Sequence, residues 1–424
     1  MAKKRPNETA GVRAQYEAYP YPARDPRDEA KRLIQGSPSH LLEVNHFIFG
    51  GRRDFNKPFR ALVAGGGTGD GAIMLAQQLK DAGGPGEVVY IDVSDAARRI
   101  AEARAEARTL ANIRFHRMSI PELPGSALVR EGGRFDYIDC CGVLHHLDDP
   151  AAGLGALASV LAEAGGMGLM LYGEYGRTGV YPLQALARLL SGADDLAGRL
   201  GLLRRVLKQL PPTNWLKRNP FVGDHLNGGD AGLVDLFLHA RDRAYTVPAI
   251  ADLAAAAGLA ITGFLVPARY DPAAYVNDPE ILRRLAQLST FDRAAAAELL
   301  AGNMRKHVFY AVKAGRAGDA VAATAPNAVP HLLDFDAEAF AKTVAPRRAI
   351  AATIDGVSFR FPLPAMAAAI VERMDGRRTL DDIRRDLAAV NARLDAAEFQ
   401  KQFEPLYRAL HGLGKLFLSI PDKP

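Results

Sequence analysis

The sequence predicts an α/β fold: a doubly wound parallel sheet with a smaller domain after it. Three observations carry that prediction. A short apolar run, Ala61 to Ala64, empties directly into glycines at 65, 66, 67, 69 and 71, and Ala72 to Leu79 then have helical composition. Apolar runs of strand length alternate with helical patterns as far as Tyr172, which is the signature of β-α-β units. At 424 residues, with 48% hydrophobic and 24% charged content, the chain is globular and too long for one ordinary core.

In chain order, residues 1–58 form a polar, aromatic-rich lead segment containing Gln15-Tyr-Glu-Ala-Tyr-Pro-Tyr-Pro22. Strand 61–64 passes through the glycines into a helix over 71–81. Gly83-Gly-Pro-Gly86 turns the chain into strand 88–91, and helix 95–108 follows with an apolar stripe at Ala96, Ile100, Ala103 and Ala107. Strands are expected at 113–115, 136–141 and 168–172, with a helix over 151–162 ended by Gly165-Gly166. Leu- and Arg-rich helical patterns replace the alternation over 178–245. It resumes with helix 247–257, which has Pro248 near its start and Gly258 past its end. Strands 261–266 and 306–312 flank a second helical excursion, taken as 271–303. Residues 314–330, rich in Ala and Gly, read as a linker.

Residues 331–424 form the expected small α+β domain. Thr379 caps a helix with Asp381 and Asp382 in its first turn, a further helix spans 396–411, and the chain ends in a strand. This order suggests a winged-helix-like module. Asp375-Gly376 with Thr379-Leu380 and Ile383 faintly resembles the small peptide-binding domains of peptide-modifying enzymes, and a bracing or dimerisation role competes with that reading.

Bulk properties narrow the class of function. The net charge of +5 is mild for this length, and the basic residues between Arg199 and Arg218 read as a solvated helix face, which argues against a nucleic-acid partner. The two cysteines, Cys140 and Cys141, are neighbours in a strand and face opposite ways, so a reducing compartment is expected. With no apolar run long enough to span a bilayer, the expectation is a cytoplasmic protein without membrane contact. A homodimer is compatible with the sequence.

Four features sit at consecutive strand ends, where an open α/β sheet binds its ligand. The glycine turn offers bare backbone and positive φ, and the helix after it favours electronegative groups. Asp92, ending the second strand, is placed to accept both hydroxyls of an adenosine ribose. Ser119-Ile120 follow the third strand, where a side chain and an amide can read an adenine edge. Cys141-Gly-Val-Leu-His-His-Leu147 follow the fourth. Each signal has a competitor: Gly67-x-Gly69-x-x-Ala72 also suits a dinucleotide, and Asp92 could instead cap the helix opening near Ser94-Asp95.

Taken together, residues 60–177 resemble a class I S-adenosylmethionine-dependent methyltransferase. The matching segments are Leu62-Val-Ala-Gly-Gly-Gly-Thr-Gly69, Tyr90-Ile-Asp-Val-Ser94, Phe135-Asp-Tyr-Ile-Asp-Cys-Cys-Gly-Val-Leu-His-His-Leu147, Asp149-Pro150, Val160-Leu161, Gly165-Gly166 and Leu169-Met-Leu-Tyr172. The likeness is to a bacterial group with a Gln-Tyr-Glu…Pro-Tyr-Pro lead segment, here Gln15 to Pro22. It implies a Rossmann-like seven-stranded sheet over 59–313, with 261–266 and 306–312 as its antiparallel last strands and S-adenosylmethionine as cofactor. By this resemblance Gly65, Gly66, Gly67, Thr68 and Gly69 form the turn against the methionyl part and sugar. Asp92 would hold the ribose, Val93 would lie on the adenine, Ser119 and Ile120 would bind its amino edge, and the backbone at Cys141-Gly142 would meet the methionyl amino group. Two positions depart from the family: Val63 stands where an acid is usual, and Ser119 where Asp is usual.

Methyl transfer is an in-line displacement that gains most from positioning and a dry pocket. It needs a base only when the acceptor must lose a proton. His145, His146 and Tyr172 are the candidate catalytic side chains. Tyr19, Tyr21, Glu174, Tyr175, Arg177, Trp215 and His225 are candidate acceptor contacts, and the lead-segment tyrosines, Tyr16 included, are a possible lid. The helical insertions 178–245 and 271–303 would cap the acceptor. His225, Asp230 and His239 match no compact ligand spacing, so no metal is expected. The acceptor is expected to be a small molecule, with a peptide recognised by the C-terminal domain as alternative. A nicotinamide-dependent oxidoreductase and a non-catalytic cofactor-binding protein remain the competing classes.

Overall fold

A computed structural model describes residues 8–192 and 194–421 of the chain. Seven strands build one mixed sheet: β1 Phe59–Ala64, β2 Gly86–Asp92, β3 Ile113–Arg117, β4 Phe135–Cys141, β5 Leu161–Tyr172, β6 Leu259–Leu265 and β7 Lys306–Lys313, in the order β3-β2-β1-β4-β5-β7-β6. The pairs β1–β2, β2–β3, β1–β4 and β4–β5 are parallel. The strand order reverses direction between β1 and β4, which makes their carboxyl ends a topological switch point. Buried runs such as Ala61 to Ala64 and Val88 to Ile91 explain these strands: both faces are covered, so apolar residues are continuous along them.

The helices lie close to their predicted ranges. Asp70–Ala82 opens at Gly69, whose φ is 102°, and a Cβ at that position would come 2.8 Å from the Ala101 methyl of the helix alongside. Asp95–Ala107 is capped by the Ser94 hydroxyl, which accepts from the Ala97 amide. One boundary differs from expectation. The helix starting at Pro150 stops at Val160, and β5 begins at the next residue, so Gly165 and Gly166 lie inside the strand. A Cβ at Gly165 would sit 2.7 Å from the Asp136 carbonyl oxygen, so the glycine lets β5 run against β4 where the register shifts.

The chain divides into two compact units, and their limits differ from the sequence-based ranges. The first comprises residues up to His40, Phe55–Leu259 and Gly302–Val308. Here the 178–245 insertion is helical as expected, with Val180–Ser191 and Leu196–Gln209 packed through Val180, Leu183, Leu200, Leu203 and Phe237. The lead segment contributes helix Glu8–Ala18 and the 3-10 turn Pro26–Ala30. A buried clamp ties that turn down. Arg104 Nε donates to Glu29 Oε1 at 2.7 Å, while its Nη1 donates to Asp70 Oδ1 at 2.7 Å and to the Thr68 carbonyl at 2.8 Å.

The second unit comprises Leu41–Asp54, Ala260–Ala301 and the residues from Phe309 onward. Tyr310 donates to the Glu43 carboxylate at 2.7 Å within it. Its strands are β8 Val329–Leu332, β9 Ala349–Ile354, β10 Val357–Pro362 and β11 Leu416–Ser419, paired antiparallel as β8–β11 and β9–β10. Helix Leu380–Ala388 carries the predicted Thr379 cap, closed into a capping box by Asp382, and Ala396–Gly412 is the predicted further helix. The β9–β10 hairpin was not expected. Its signal was Asp355-Gly356, both at positive φ between two apolar runs. In the stretch read as a linker, Ala320, Ala322 and Ala328 are buried. The amide of Ala322 donates to the His46 carbonyl at 2.8 Å, so this segment is packed.

Candidate active site

The first unit holds a cavity of about 810 Å³ over the switch point, at the upper end of the range for drug-sized ligands. At one end the glycine turn supplies its floor. Gly65 and Gly67 have φ of 71° and 52°. Side chains at 65 or 66 would strike Val143 or the Tyr90 ring. At Gly67 a Cβ would lie 2.8 Å from the Tyr21 carbonyl oxygen, so only glycine leaves this cradle open.

Asp92 lines the cavity and is 9% exposed. Its Oδ2 accepts from the Gly67 amide and its Oδ1 from the Ser94 amide, each at 2.8 Å. The carboxylate therefore holds the glycine turn as well as facing the cavity. Burial pushes its carboxyl above the ordinary value, against those amide bonds. It does not cap the next helix; Ser94 does. Each Asp92 oxygen keeps a second lone pair for a sugar hydroxyl.

Val93, Ser119, Ile120, Cys141 and Gly142 also line the cavity. Ser119 is organised by a residue that the sequence reading did not single out. Glu122 Oε2 accepts from the Ser119 amide at 2.8 Å and from its hydroxyl at 2.6 Å. The hydroxyl proton is thus directed into the loop, and its oxygen is left as an acceptor, the form that suits an adenine amino group. Thr68 and Gly69 are absent from the lining. Thr68 is fully buried and donates to the Pro22 carbonyl at 2.7 Å, and Gly69 serves helix packing.

The other end is built by the β4 and β5 termini, the lead segment and the insertion. His146, Tyr172, Arg177, Tyr16, Tyr21, Asp224, Asp235 and Arg241 line it. A π-helical turn, Val234–Leu238, presents Asp235, an irregularity that recurs at functional sites and that periodicity in the sequence does not reveal. Asp235 accepts from the hydroxyls of Tyr16 at 3.1 Å and Tyr172 at 3.2 Å. Burial raises its carboxyl pKa and, more strongly, those of both tyrosines, which stay protonated donors. Arg177 lies 3.7 Å above the centre of the Tyr172 ring and is paired with buried Asp242.

The main chain of Arg241 sets the tautomers of two stacked histidines, His146 and His239, whose ring centres are 3.7 Å apart. Its carbonyl oxygen lies 2.6 Å from His146 Nδ1, so Nδ1 carries the proton and Nε2 keeps a lone pair. Its amide donates to His239 Nδ1 at 3.0 Å, so the proton of that ring is on Nε2, 3.2 Å from the Tyr16 hydroxyl. Burial lowers the pKa of His146 to about 4 and of His239 to about 3, so both rings are neutral at pH 7.

His146, Asp235 and His239 bring one potential ligand atom each within 4.8 Å of one another. Of the trio His225, Asp230 and His239 weighed from the sequence, only His239 belongs to this group. The Arg241 amide occupies His239 Nδ1, so that ring could meet a metal only at Nε2, the nitrogen that carries its proton.

Several expected contacts lie elsewhere. His145 is fully buried behind the wall, its ring centre 4.0 Å from that of Tyr172 and tilted to it, with no hydrogen-bond partner for either ring nitrogen among the described residues. Tyr19 packs on the insertion core. Glu174 is exposed and Tyr175 half-buried, both off the cavity. Trp215 is 59% exposed, and His225 packs edge-on to Phe237. Tyr19 sits in the lead segment and the others follow a strand or sit in the insertion as predicted, but their side chains turn away from the cavity.

Comparison with known proteins bears on what such a cavity does. Residues 62–167 match the model of a methyltransferase domain. An uncharacterized protein of Synechococcus sp. is 31% identical over 300 residues, covering 69% of each chain. The chain belongs to that protein's family, among the S-adenosylmethionine-dependent methyltransferases. A ubiquinone biosynthesis O-methyltransferase of Acinetobacter baylyi is 27% identical over 98 residues, 23% of this methyltransferase and 39% of that protein. The structure of PKMT2 from Rickettsia typhi in complex with AdoHcy superposes with a TM-score of 0.60 at 14% identity, covering 90% of this chain and 75% of that one, which is a likeness of fold. The domain match favours methyl transfer over the nicotinamide reading of the same glycines, with S-adenosylmethionine as cofactor. Among the described residues no helix of the methyltransferase is long and apolar enough to cross a membrane.

Proposed function

We propose that this methyltransferase acts on a small-molecule acceptor that enters the His146–Tyr172–Asp235 end of the cavity. The observation that carries the reading is one continuous cavity with two chemically different ends. Bare glycine backbone and Asp92 stand at one, and a neutral histidine, two tyrosines and a buried carboxylate at the other. When bound, S-adenosylmethionine supplies an electrophilic methyl group on a positively charged sulfur.

Asp92 would hold the ribose hydroxyls, and Gly65 to Gly67 would admit the cofactor against main chain. Val93, Ser119 and Ile120 would enclose the adenine. His146 would accept a hydrogen bond at Nε2 from the acceptor's N–H or O–H, aiming the nucleophile's lone pair. A ring pKa near 4 makes His146 a weak base, so its contribution is mainly orientation, with the proton lost once methylation has made it more acidic. Tyr16 and Tyr21 from the lead segment wall the cavity and exclude water, which strengthens every polar contact inside.

Calorimetry with S-adenosylhomocysteine, then transfer of a labelled methyl group to amines, phenols, carboxylates and unstructured peptides, tests the reading. Micromolar binding and labelling of a small molecule are expected. Labelling confined to peptides would replace the small-molecule acceptor, and absence of cofactor binding would overturn the enzyme.

A further inference from the structure

We propose that Asp139 is the counter-ion for the cofactor's α-ammonium, taking over from β4 the task that Val63 on β1 cannot perform. This rests on the methyltransferase reading above. In the parallel β1–β4 ladder Asp139 is the register partner of Val63, and paired residues on neighbouring strands project to the same face of a sheet. Both line the cavity, two residues before the glycine turn on one strand and two before Cys141 on the other.

Asp139 is 1% exposed, and the one hydrogen-bond partner of its carboxylate among the described residues is the Ser39 hydroxyl. No Lys, Arg or His among them lies within ion-pair distance of it. Arg24, which lines the same cavity, is held on Asp70 by three bonds of 2.6 to 3.2 Å. A Cβ at Gly71 would come 3.0 Å from Asp139 Oδ2 and 2.9 Å from Ser39 Oγ, so glycine there spares this carboxyl group a clash. A carboxylate buried with a single hydroxyl is strongly disfavoured unless a proton or a cation joins it. Burial indeed pushes its carboxyl up to about 6.

Strand order identifies the cation. Ser119 follows β3, Asp92 ends β2, the glycine turn follows β1, and Asp139 lies on β4, the next strand in the sheet. A ligand with its adenine at β3 and its ribose at β2 brings its amino-acid tail to the β1–β4 crevice. The terminal ammonium is the cationic group that arrives there, while the sulfonium faces the acceptor end. Ser39, from the lead segment, would keep one carboxylate oxygen oriented and leave the other for the ammonium.

The test is calorimetry with two probes, S-adenosylhomocysteine and its desamino analogue. The native protein should prefer the amino form by roughly 10- to 100-fold. Asp139→Asn should lose that preference, with weaker binding of S-adenosylhomocysteine and binding of the desamino analogue changed by less than about twofold. An Asn variant that keeps the preference, or that weakens both ligands equally, would overturn the proposal. If that variant does not fold, the exchange of Val63→Asp with Asp139→Val decides. A folded exchange variant that prefers the amino form supports the assignment, and one that does not refutes it. Failure of the native protein to bind either probe would instead defeat the cofactor reading beneath it.

Discussion

Replacing Asp92 with alanine tests the hinge of the site, because this carboxylate has two duties. It accepts the Gly67 and Ser94 amides at 2.8 Å each, and it faces the cavity at the end proposed for the ribose. Removing it strands two buried main-chain donors. At roughly 1–3 kcal/mol for each unsatisfied group the loss of stability lies at about 2–6 kcal/mol. The lower half of that range is expected, since water entering the cavity can reach the Gly67 amide. The cofactor separately loses charge-assisted bonds from its sugar, about 1–3 kcal/mol, or roughly 5- to 150-fold in affinity. Urea unfolding of the ligand-free protein reads the first effect. Calorimetry with S-adenosylhomocysteine, at a temperature where the variant is folded, reads the second. A variant that is destabilised yet binds with native affinity would show that Asp92 only braces the turn, and the ribose role would be refuted.

Other outcomes follow from the same geometry. The carboxyl of Asp139 rises from the usual 3.8 to about 6 on folding, so between those pH values the folded chain holds a proton that the unfolded chain has released. Ligand-free stability should therefore fall as pH rises from about 3 to 7, by about 3 kcal/mol relative to Asp139→Asn; parallel urea stability curves for the two proteins would contradict this. Arg104→Ala takes from buried Glu29 one of its two guanidinium partners, Arg108 being the other, and removes the bonds to Asp70 and the Thr68 carbonyl; it should cost about 2–3 kcal/mol in urea unfolding, whereas a change below 1 kcal/mol would show that the lead segment is held by other contacts. His146→Ala should slow methyl transfer by roughly tenfold to a hundredfold while leaving S-adenosylhomocysteine affinity within about twofold; equal loss in both would place His146 in cofactor binding instead.

Much of the cofactor end was legible from local signals. A strand emptying into glycines, an acid ending the next strand and a capped helix after it are each written within a few consecutive residues. Gly65 to Gly67, Asp92, Val93, Ser119, Ile120, Cys141 and Gly142 accordingly meet around one cavity. Thr68 and Gly69 belong to the same motif, yet turn to Pro22 and Ala101, because neighbours in a tight turn cannot all face one side. The acceptor end was harder to read. Tyr16, His146, Tyr172, Asp235 and His239 come from four separated stretches of chain, and a π-helical turn aims Asp235 where a regular helical period would not.

The sequence by itself determined the alternation of strands and helices, the glycine-lined crossover and the class of cofactor, since each depends on short-range periodicity and on backbone that only glycine tolerates. Tertiary structure alone decided which histidine keeps a free lone pair, because the carbonyl oxygen that fixes the His146 tautomer belongs to Arg241, 95 residues away. It also decided that a lone carboxylate on β4 lies beside Val63: register between strands 76 residues apart is set by packing across the whole sheet, and no local pattern encodes it.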